Sequence, residues 1–190
     1  MINNTLYPYT FIPFHPYTLI PLYLYTLYLI SPRMNIEIIE YQDRYHDNFR
    51  SLNLVWLDKY NLTEEPDLMV LNDPRGTIIK NGGYIWLARH EGDIIGSSAL
   101  IKEHEGVFEL AKMAVAEPWQ GKGISKLLIE VCLKKARELR ASKVELFSNH
   151  QLLAALKLYE RYGFRYVDMK DSPFVTADVK MELAMDSSNQ

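Results

Sequence analysis

Charged side chains are missing from positions 1–32 of this sequence, although Asp, Glu, Lys and Arg make up 24% of the whole chain. The segment consists mainly of Tyr, Leu, Ile, Thr and Pro, and PYTFIP at 8–13 recurs as PYTLIP at 16–21. A secretory signal peptide is excluded, because such a peptide begins with positive charge and ends in a small-residue cleavage site.

A membrane-spanning helix requires about 20 successive apolar residues, but the prolines of this segment leave only 22–31 uninterrupted. The next segment, from Met34, has ordinary globular patterning. We therefore expect 1–33 to lie outside the fold and the domain to begin at Met34. A disordered or membrane-touching tail and a genuine anchor are the alternatives.

The chain also has few cysteines and no excess of positive charge. Cys132 is the only cysteine, so the chain cannot form an internal disulfide framework. A net charge of −3 provides no basic stripe for a nucleic acid and no attraction to an anionic membrane, so we expect neither partner. No Cys/His cluster has metal-ligand spacing, so we expect no metal. We expect one cytoplasmic domain over 34–185, followed by a polar tail at 186–190.

The hydrophobic pattern of 34–185 predicts the element order β–α–α–β–β–β–α–β–α–β–β. Three strands that form a meander precede strand–helix–strand crossovers, which predicts a mixed sheet with parallel pairing between 108–115 and 143–148. The predicted strands are 35–41, 84–90, 94–104, 106–116, 143–148, 164–169 and 179–185, and the predicted helices are 43–60, 63–71, 122–140 and 151–163.

The run EPWQGKGIS at 117–125 lies between a predicted strand and the longest predicted helix. Glycines at a helix start expose backbone N–H groups, which can bind an anion. A P-loop is excluded because G-x-x-x-x-G-K-[S/T] is absent, and the dinucleotide fingerprint is excluded because position 126 is lysine. The remaining pattern, Gln120, Gly123 and Ser125, is weak alone, and a turn without a ligand is the alternative.

Two longer runs give this pattern a context. KMAVAEPWQGKGIS at 112–125 matches, in order and spacing, a strand followed by [Gln/Arg]-x-x-Gly-x-[Gly/Ala], with Ser125 as the one departure. SNHQLLAALKLYERYGF at 148–164 supplies an Asn and then a helix ending in LYxxxGF. The chain thereby resembles the Gcn5-related N-acetyltransferase (GNAT) superfamily over most of 34–185, most strongly over 107–168. The resemblance implies an α/β (α+β) fold with a mixed, mostly antiparallel twisted sheet of six to seven strands and helices on both faces.

The resemblance also implies a co-substrate, acetyl-CoA. Its pyrophosphate is expected at the backbone N–H groups of the glycine turn, where the helix N-terminus adds about half a positive charge. The strand before the turn is expected to splay from its neighbour and to bind pantetheine and the acetyl carbonyl, while Asn149 binds pantetheine or the following backbone, or caps the helix. The implied cofactor-binding residues are Met113, Ala114, Val115, Gln120, Gly121, Lys122, Gly123, Ile124, Ser125, Asn149 and Tyr159, although Lys122 could simply be solvated.

Acetyl transfer to an amine requires a neutral amine, a donor to the tetrahedral oxyanion and a proton for the leaving thiolate. Tyr159 matches the family's tyrosine and is the candidate acid; packing in the apolar stripe is its alternative role. Glu109 is the candidate base, acting through water, because a carboxylate inside an apolar strand is costly without a function or a partner. A salt bridge to a lysine across the sheet is the alternative. Strand alternation predicts that Glu109, Ala111, Met113 and Val115 share one face.

The acceptor is expected to be a small-molecule amine that attacks acetyl-CoA directly in a ternary complex. In this fold it enters over the first helices, where we expect Trp56 and Tyr60 to bind substrate. The acidic residues nearby suit a cationic amine, but a solvated acidic face explains them equally: Glu64, Glu65, Asp67 and Asp73. Acetylation of a protein N-terminus or lysine, a non-catalytic acyl-CoA-binding module and a homodimer are left open.

Overall fold

The structure is a computed structural model that describes residues 34–169 and 172–185. Contacts divide the chain into two compact units, Met1–Asn35 and Ile36–Gln190, and only Met34 and Asn35 of the first unit are described. The predictions for 1–33 and for the polar tail 186–190 therefore lie outside the described residues. Among the residues described, no helix has both the length and the apolar character needed to cross a membrane.

Within the described residues, seven strands form a single sheet: β1 (Glu37–Glu40), β2 (Tyr84–His90), β3 (Asp93–His104), β4 (Val107–Val115), β5 (Lys143–Ser148), β6 (Arg165–Val167) and β7 (Val179–Ala184). Their order across the sheet is β1-β2-β3-β4-β5-β7-β6. Only β4 and β5 are parallel neighbours, and the other pairs are antiparallel. The predicted mixed, mostly antiparallel sheet is confirmed, including the position of its parallel pair.

In the same part of the chain, four α-helices connect these strands: α1 (His46–Lys59), α2 (Glu65–Asn72), α3 (Ile124–Glu138) and α4 (Leu153–Arg161). The 3-10 helices Asp43–Tyr45 and Glu117–Trp119 and the π-helix Arg75–Ile79 are short additions. The order of strands and α-helices matches the predicted order. Pro66 in the first turn of α2 fits this position, because its missing N–H has no partner there in any helix.

The helices cover both faces of the sheet. On one face, Phe49 of α1 and Leu71 of α2 are fully buried and pack with Leu87 of β2. On the other face, Ile129 of α3 and Leu156 of α4 belong to the core that packs on β4 and β5. Each such buried side chain stabilises the fold by about 2 kcal/mol, so both layers hold the central strands in place.

A β-bulge interrupts the alternation of β4. Ser97 of β3 pairs with Ala114, whereas Ala99 pairs with Ala111, so β4 contains one extra residue between the same two partners. Lys112 lies in this interval and has a φ of 49° in the left-handed region. The bulge reverses the side-chain alternation beyond it.

The predicted common face of Glu109, Ala111, Met113 and Val115 is therefore wrong for the last two. Glu109 pairs with Ile101, which packs with the α1–α2 core, whereas Met113 packs with the α3–α4 core and Val115 with the cluster around α3. The alternation of apolar residues in the sequence could not show on which face Met113 and Val115 lie, because an extra residue in a strand shifts every later side chain to the opposite face.

Parallel pairing between β4 and β5 stops soon after it begins. The paired residues run only from Val107 to Glu109, which is opposite Glu145. β5 continues to pair with β7 as far as Ser148. The second half of β4 is thus separated from β5, as the resemblance implied, and a cleft opens between the two strands.

Candidate active site

The cleft between β4 and β5 brings together most of the residues predicted to carry out the chemistry. Glu109, Met113, Asn149, Tyr159 and Trp56 all line it, and its volume is about 120 Å³. The other predicted substrate-binding residue, Tyr60, packs against Trp56 with 5.4 Å between ring centroids and lies outside the lining. Four elements that are distant in the sequence therefore contribute to one site.

Glu109 is the one buried acid of this cleft without a partner. Its side chain is nearly buried, and within the described part of the chain no hydrogen-bond donor or cation lies at bonding distance from its carboxylate. Burial raises the pKa of Glu109 to about 7; the positive charge of Lys112 opposes this shift, and Glu103 and Glu145 add to it. The alternative of a salt bridge to a lysine is not observed. A carboxyl group with this pKa can accept a proton near neutral pH.

Tyr159 reaches the same cleft from the last turns of α4. The residue is 8% exposed and its ring lies 5.9 Å from that of Phe164, so it also packs in the α3–α4 core. Burial raises the pKa of the Tyr159 hydroxyl, and the nearby Cys132 adds to the shift. The hydroxyl therefore stays protonated at physiological pH, as a proton donor requires.

Asn149 follows β5 and both ends of its side-chain amide are engaged. Its Nδ2 donates to the Thr176 carbonyl at 2.6 Å, and its Oδ1 accepts the Gln151 N–H at 3.0 Å. The N-cap of α4 is Leu152 and receives no side-chain hydrogen bond. Of the roles considered for Asn149, the structure shows bonding to the following backbone, and helix capping is not observed.

The glycine turn precedes α3 with its backbone in a conformation that favours glycine. Gly121 has a φ of 73° and Gly123, the N-cap of α3, has a φ of 85°. A Cβ at either position would meet no protein atom within 4 Å. The N–H groups of Ile124 and Ser125 have no partner inside the helix, because the first turn has no preceding carbonyls to bond. This end of α3 thus presents donors and partial positive charge.

Gln120 is one of the implied cofactor-binding residues, but its backbone N–H is already bonded within the protein. Its N–H bonds the Glu117 carbonyl at 3.2 Å and its side-chain Nε2 donates to the Val115 carbonyl at 3.1 Å. The 3-10 turn before it causes this, since that turn uses the Gln120 N–H to close. The available donors of the turn begin at Gly121.

Lys122 of the turn is held by an aromatic side chain. Its Nζ lies 4.6 Å from the ring centroid of Trp119, and that ring lies 4.6 Å from the ring of His90. A cation over an indole face is stabilised by about 0.5–1 kcal/mol at an exposed site. The charge of Lys122 is thereby kept at the glycine turn, where it can add to the attraction of an anion.

Sequence reasoning missed an ion pair in the cleft. Lys112 Nζ lies 2.7 Å from Asp67 Oδ1, with side chains 7% and 6% exposed, and both residues line the cleft. The two positions are 45 residues apart and no local pattern links them. Asp67 is therefore not part of a solvated acidic face.

Glu64 has a structural role of its own. It accepts the N–H groups of Val175 at 2.9 Å and Thr176 at 2.7 Å, and Thr176 lines the cleft. Burial opposes ionisation of Glu64, but the hydrogen bond from the Thr176 hydroxyl, together with the two backbone ones, outweighs it and lowers the pKa of Glu64. The start of α2 is thus tied to the segment before β7, which closes one side of the cleft.

Metal ligands are not grouped in the region that the structure covers. Across 34–169 and 172–185, no three His, Cys, Asp or Glu side chains converge in a way that could hold a metal ion.

The sequence profile of the Acetyltransferase (GNAT) family matches residues 38–164. This chain belongs to the GNAT family. The match includes β4, β5, the glycine turn and Tyr159, whereas Phe174, Thr176 and Ala177 of the cleft lie beyond it. Among curated relatives, N-acetylaspartate synthetase of Xenopus tropicalis is 35% identical over 95 residues, which are 50% of this chain and 35% of that protein. The chain aligns with two thirds or less of the length of the curated relatives it matches, 66%, 35% and 54% for three of them.

Solved GNAT structures share the fold. An acetyltransferase of the GNAT family from Staphylococcus aureus Mu50 superposes with a TM-score of 0.73 at 22% identity, covering 78% of this chain and 98% of that chain. A GNAT family acetyltransferase from Elizabethkingia anophelis with acetyl-CoA bound superposes with a TM-score of 0.60 at 21% identity, covering 80% and 99%. At these identities the comparison establishes the fold of the GNAT domain.

Proposed function

We propose that this GNAT protein transfers the acetyl group of acetyl-CoA to the primary amine of a small molecule, by direct attack in a ternary complex. The observation that carries the proposal is the cleft at the β4–β5 separation, in which an unpaired buried carboxylate and a protonated tyrosine face the same space. Membership of the family and the acetyl-CoA bound to the E. anophelis relative support the choice of co-substrate.

Glu109 is assigned the role of base, through water. An alkylammonium has a pKa of about 10.4, so the amine must lose a proton before it attacks. The carboxylate of Glu109 has no competing cation at bonding distance among the described residues, and burial raises its pKa to about 7. A base of this strength is about half ionised near pH 7 and takes up a proton readily.

Tyr159 is assigned the role of acid. When the amine nitrogen bonds to the acetyl carbon, the C–S bond breaks and the sulfur of CoA leaves as a thiolate, which the Tyr159 hydroxyl can protonate. Oxyanion stabilisation is assigned to the backbone of β4 beyond Glu109, where pairing with β5 has ended. This portion of β4 includes Met113, Ala114 and Val115, the residues implied to bind pantetheine.

The glycine turn is assigned to the pyrophosphate. The donors from Gly121 to Ser125 and the N-terminus of α3 together favour a doubly charged anion, and Lys122 over Trp119 adds a positive charge beside them. A small acceptor is favoured over a protein because the cleft encloses about 120 Å³ and the Glu64–Thr176 contact closes one side.

Thermal unfolding of the full chain with increasing acetyl-CoA tests the assignment of the co-substrate. A ligand at 100 times its Kd stabilises the fold by about 2.7 kcal/mol, which for a domain of this size raises the Tm by about 5–10 °C. We expect a saturable rise with acetyl-CoA and with free CoA. If neither ligand raises the Tm, the turn does not bind the co-substrate and the proposed function is wrong.

A further inference from the structure

The charged residues that line the cleft restrict which chemical class of amine can be the acceptor. Three lining residues carry formal charge: Asp67, Glu109 and Lys112. Two of them neutralise each other, because Lys112 Nζ and Asp67 Oδ1 are 2.7 Å apart and both side chains are less than a tenth exposed. Glu109 is the remaining charge, so the cleft carries one net negative charge when Glu109 is ionised.

Further contacts fix the ion pair in place. The Lys112 ammonium lies 5.4 Å from the ring centroid of Phe174, and the second oxygen of Asp67 accepts the Glu64 N–H at 3.3 Å. Removing either partner would leave a buried charge uncompensated, which destabilises the fold. Lys112 is therefore not available to a substrate carboxylate, and Asp67 is not available to a second substrate ammonium.

Most of the other lining residues are aliphatic or aromatic, although Asn53, Ser148, Asn149 and Thr176 also line the cleft. Trp56, Leu57 and Leu62 line one part of the cleft, and Phe147 and Phe174, with ring centroids 6.1 Å apart, line another. Aromatic and aliphatic side chains favour an apolar group on the acceptor, whereas an unpaired carboxylate there would be desolvated without compensation.

We infer that the acceptor is a monoamine that carries an apolar or aromatic group and no carboxylate. The inference rests on the proposed function and narrows its substrate class. In the reaction the amine nitrogen forms a bond to the acetyl carbon and the C–S bond of acetyl-CoA breaks. The ammonium first loses one proton to Glu109 through water. The released thiolate takes a proton from Tyr159, and the second proton, which the nitrogen loses as the amide forms, restores the Tyr159 hydroxyl.

Matched amines test the inference on the full chain. Phenethylamine and L-phenylalanine differ by one carboxylate, while L-aspartate and putrescine add a second carboxylate and a second amine. Release of CoA thiol gives kcat/KM for each. We expect phenethylamine to exceed L-phenylalanine by about tenfold or more, since the added carboxylate lies near the negative charge of Glu109 with no free cation to bind it, and to exceed L-aspartate and putrescine as well.

The variant Asp67→Asn gives a second readout, because it frees the Lys112 ammonium while keeping an oxygen for the Glu64 N–H. We expect the preference for phenethylamine over L-phenylalanine to fall about tenfold, in a protein whose folding is checked by circular dichroism. If the variant does not fold, the wild-type panel decides.

The outcomes separate the two levels of the proposal. Faster turnover of L-phenylalanine, L-aspartate or putrescine than of phenethylamine in the wild type overturns the inference and leaves the proposed function standing. A folded Asp67→Asn variant with unchanged preference also overturns it, because the ion pair then does not control selectivity. A protein that binds acetyl-CoA but acetylates no amine of the panel overturns both.

Discussion

At the scale of the residue, the burial of Glu109 makes its carboxylate a stronger base but lowers the stability of the folded protein as the pH rises. A free glutamate has a pKa of 4.5 and burial raises that of Glu109 to about 7. Between these values the folded protein holds a proton that the unfolded chain has released, so stability falls as the pH rises from 4.5 to 7. Above pH 7 the folded state carries the full cost of a buried carboxylate.

The variant Glu109→Gln is expected to be more stable than the wild type at alkaline pH. Its advantage in unfolding free energy should grow by about 2 kcal/mol between pH 5 and pH 8, because the amide does not ionise. Urea unfolding of both proteins at the two pH values measures this growth. An advantage that stays constant with pH would show that Glu109 ionises in the folded protein as it does in water.

Tyr159→Phe is expected to lower kcat by about 10²–10⁴-fold, the contribution of general acid–base catalysis, with little change in acetyl-CoA affinity. The ring is retained, so packing on Phe164 persists. Tyr162→Phe is the matched control, since Tyr162 lies at the end of the same helix but its hydroxyl bonds Glu130 at 2.6 Å. Steady-state kinetics with saturating acetyl-CoA compares the two variants. Equal kcat values for them would remove Tyr159 as the acid.

At the scale of the element, the question is whether the glycine turn at the start of α3 binds the phosphates of the co-substrate or is only a turn. One substitution distinguishes these two cases. Gly123→Asp places a carboxylate where the co-substrate phosphates are expected, and we expect acetyl-CoA affinity to fall about a hundredfold or more. Gly82→Asp is the control, because Gly82 has the same φ of 85° but lies in the turn before β2 and not at the start of α3.

Isothermal titration calorimetry with acetyl-CoA, alongside the Tm of each protein, separates binding from folding. Both substitutions should lower the Tm by a similar amount, since both place a side chain at positive φ. Equal affinity in the Gly123→Asp and Gly82→Asp variants would contradict the assignment of the turn.

Elements were predictable where local pattern decides them. The strand β2 and the strand β5 were predicted with the bounds that the structure gives, because alternation and flanking turns mark both. The bulge in β4 was not, because Lys112 adopts a left-handed φ without a glycine or asparagine to indicate it. This one residue decides which face Met113 and Val115 occupy, and no periodicity in the sequence carries that information.

At the scale of the whole molecule, the two halves of the cleft differ in how far the sequence reveals them. The co-substrate half comes from two compact segments, 113–125 and 149–159, whose spacing carries the family resemblance. The acceptor half combines Trp56, Asp67 and Phe174 with β4. These residues meet only through the fold, so the sequence indicated an acidic, aromatic region but not the ion pair that neutralises it.

The prediction of an acidic acceptor region rested on residues that bind other groups in the fold. The acidic residues around α2 suited a cationic amine in the sequence, but Glu64 bonds backbone N–H groups and Asp67 bonds Lys112 in the structure. The negative charge available to an acceptor comes instead from Glu109, on the central strand β4.

The most direct test of the account is the pH dependence of acetylated amine formed by the wild type and by Glu109→Gln, with acetyl-CoA and phenethylamine both saturating and product measured by mass spectrometry. We predict a wild-type kcat that rises through an inflection near pH 7 and then levels, and a variant kcat that is far lower and lacks the inflection. No acetylated phenethylamine from the wild type would contradict the inferred acceptor. A variant profile with the same inflection and height would contradict the claim that Glu109 is the base of this acetyltransferase.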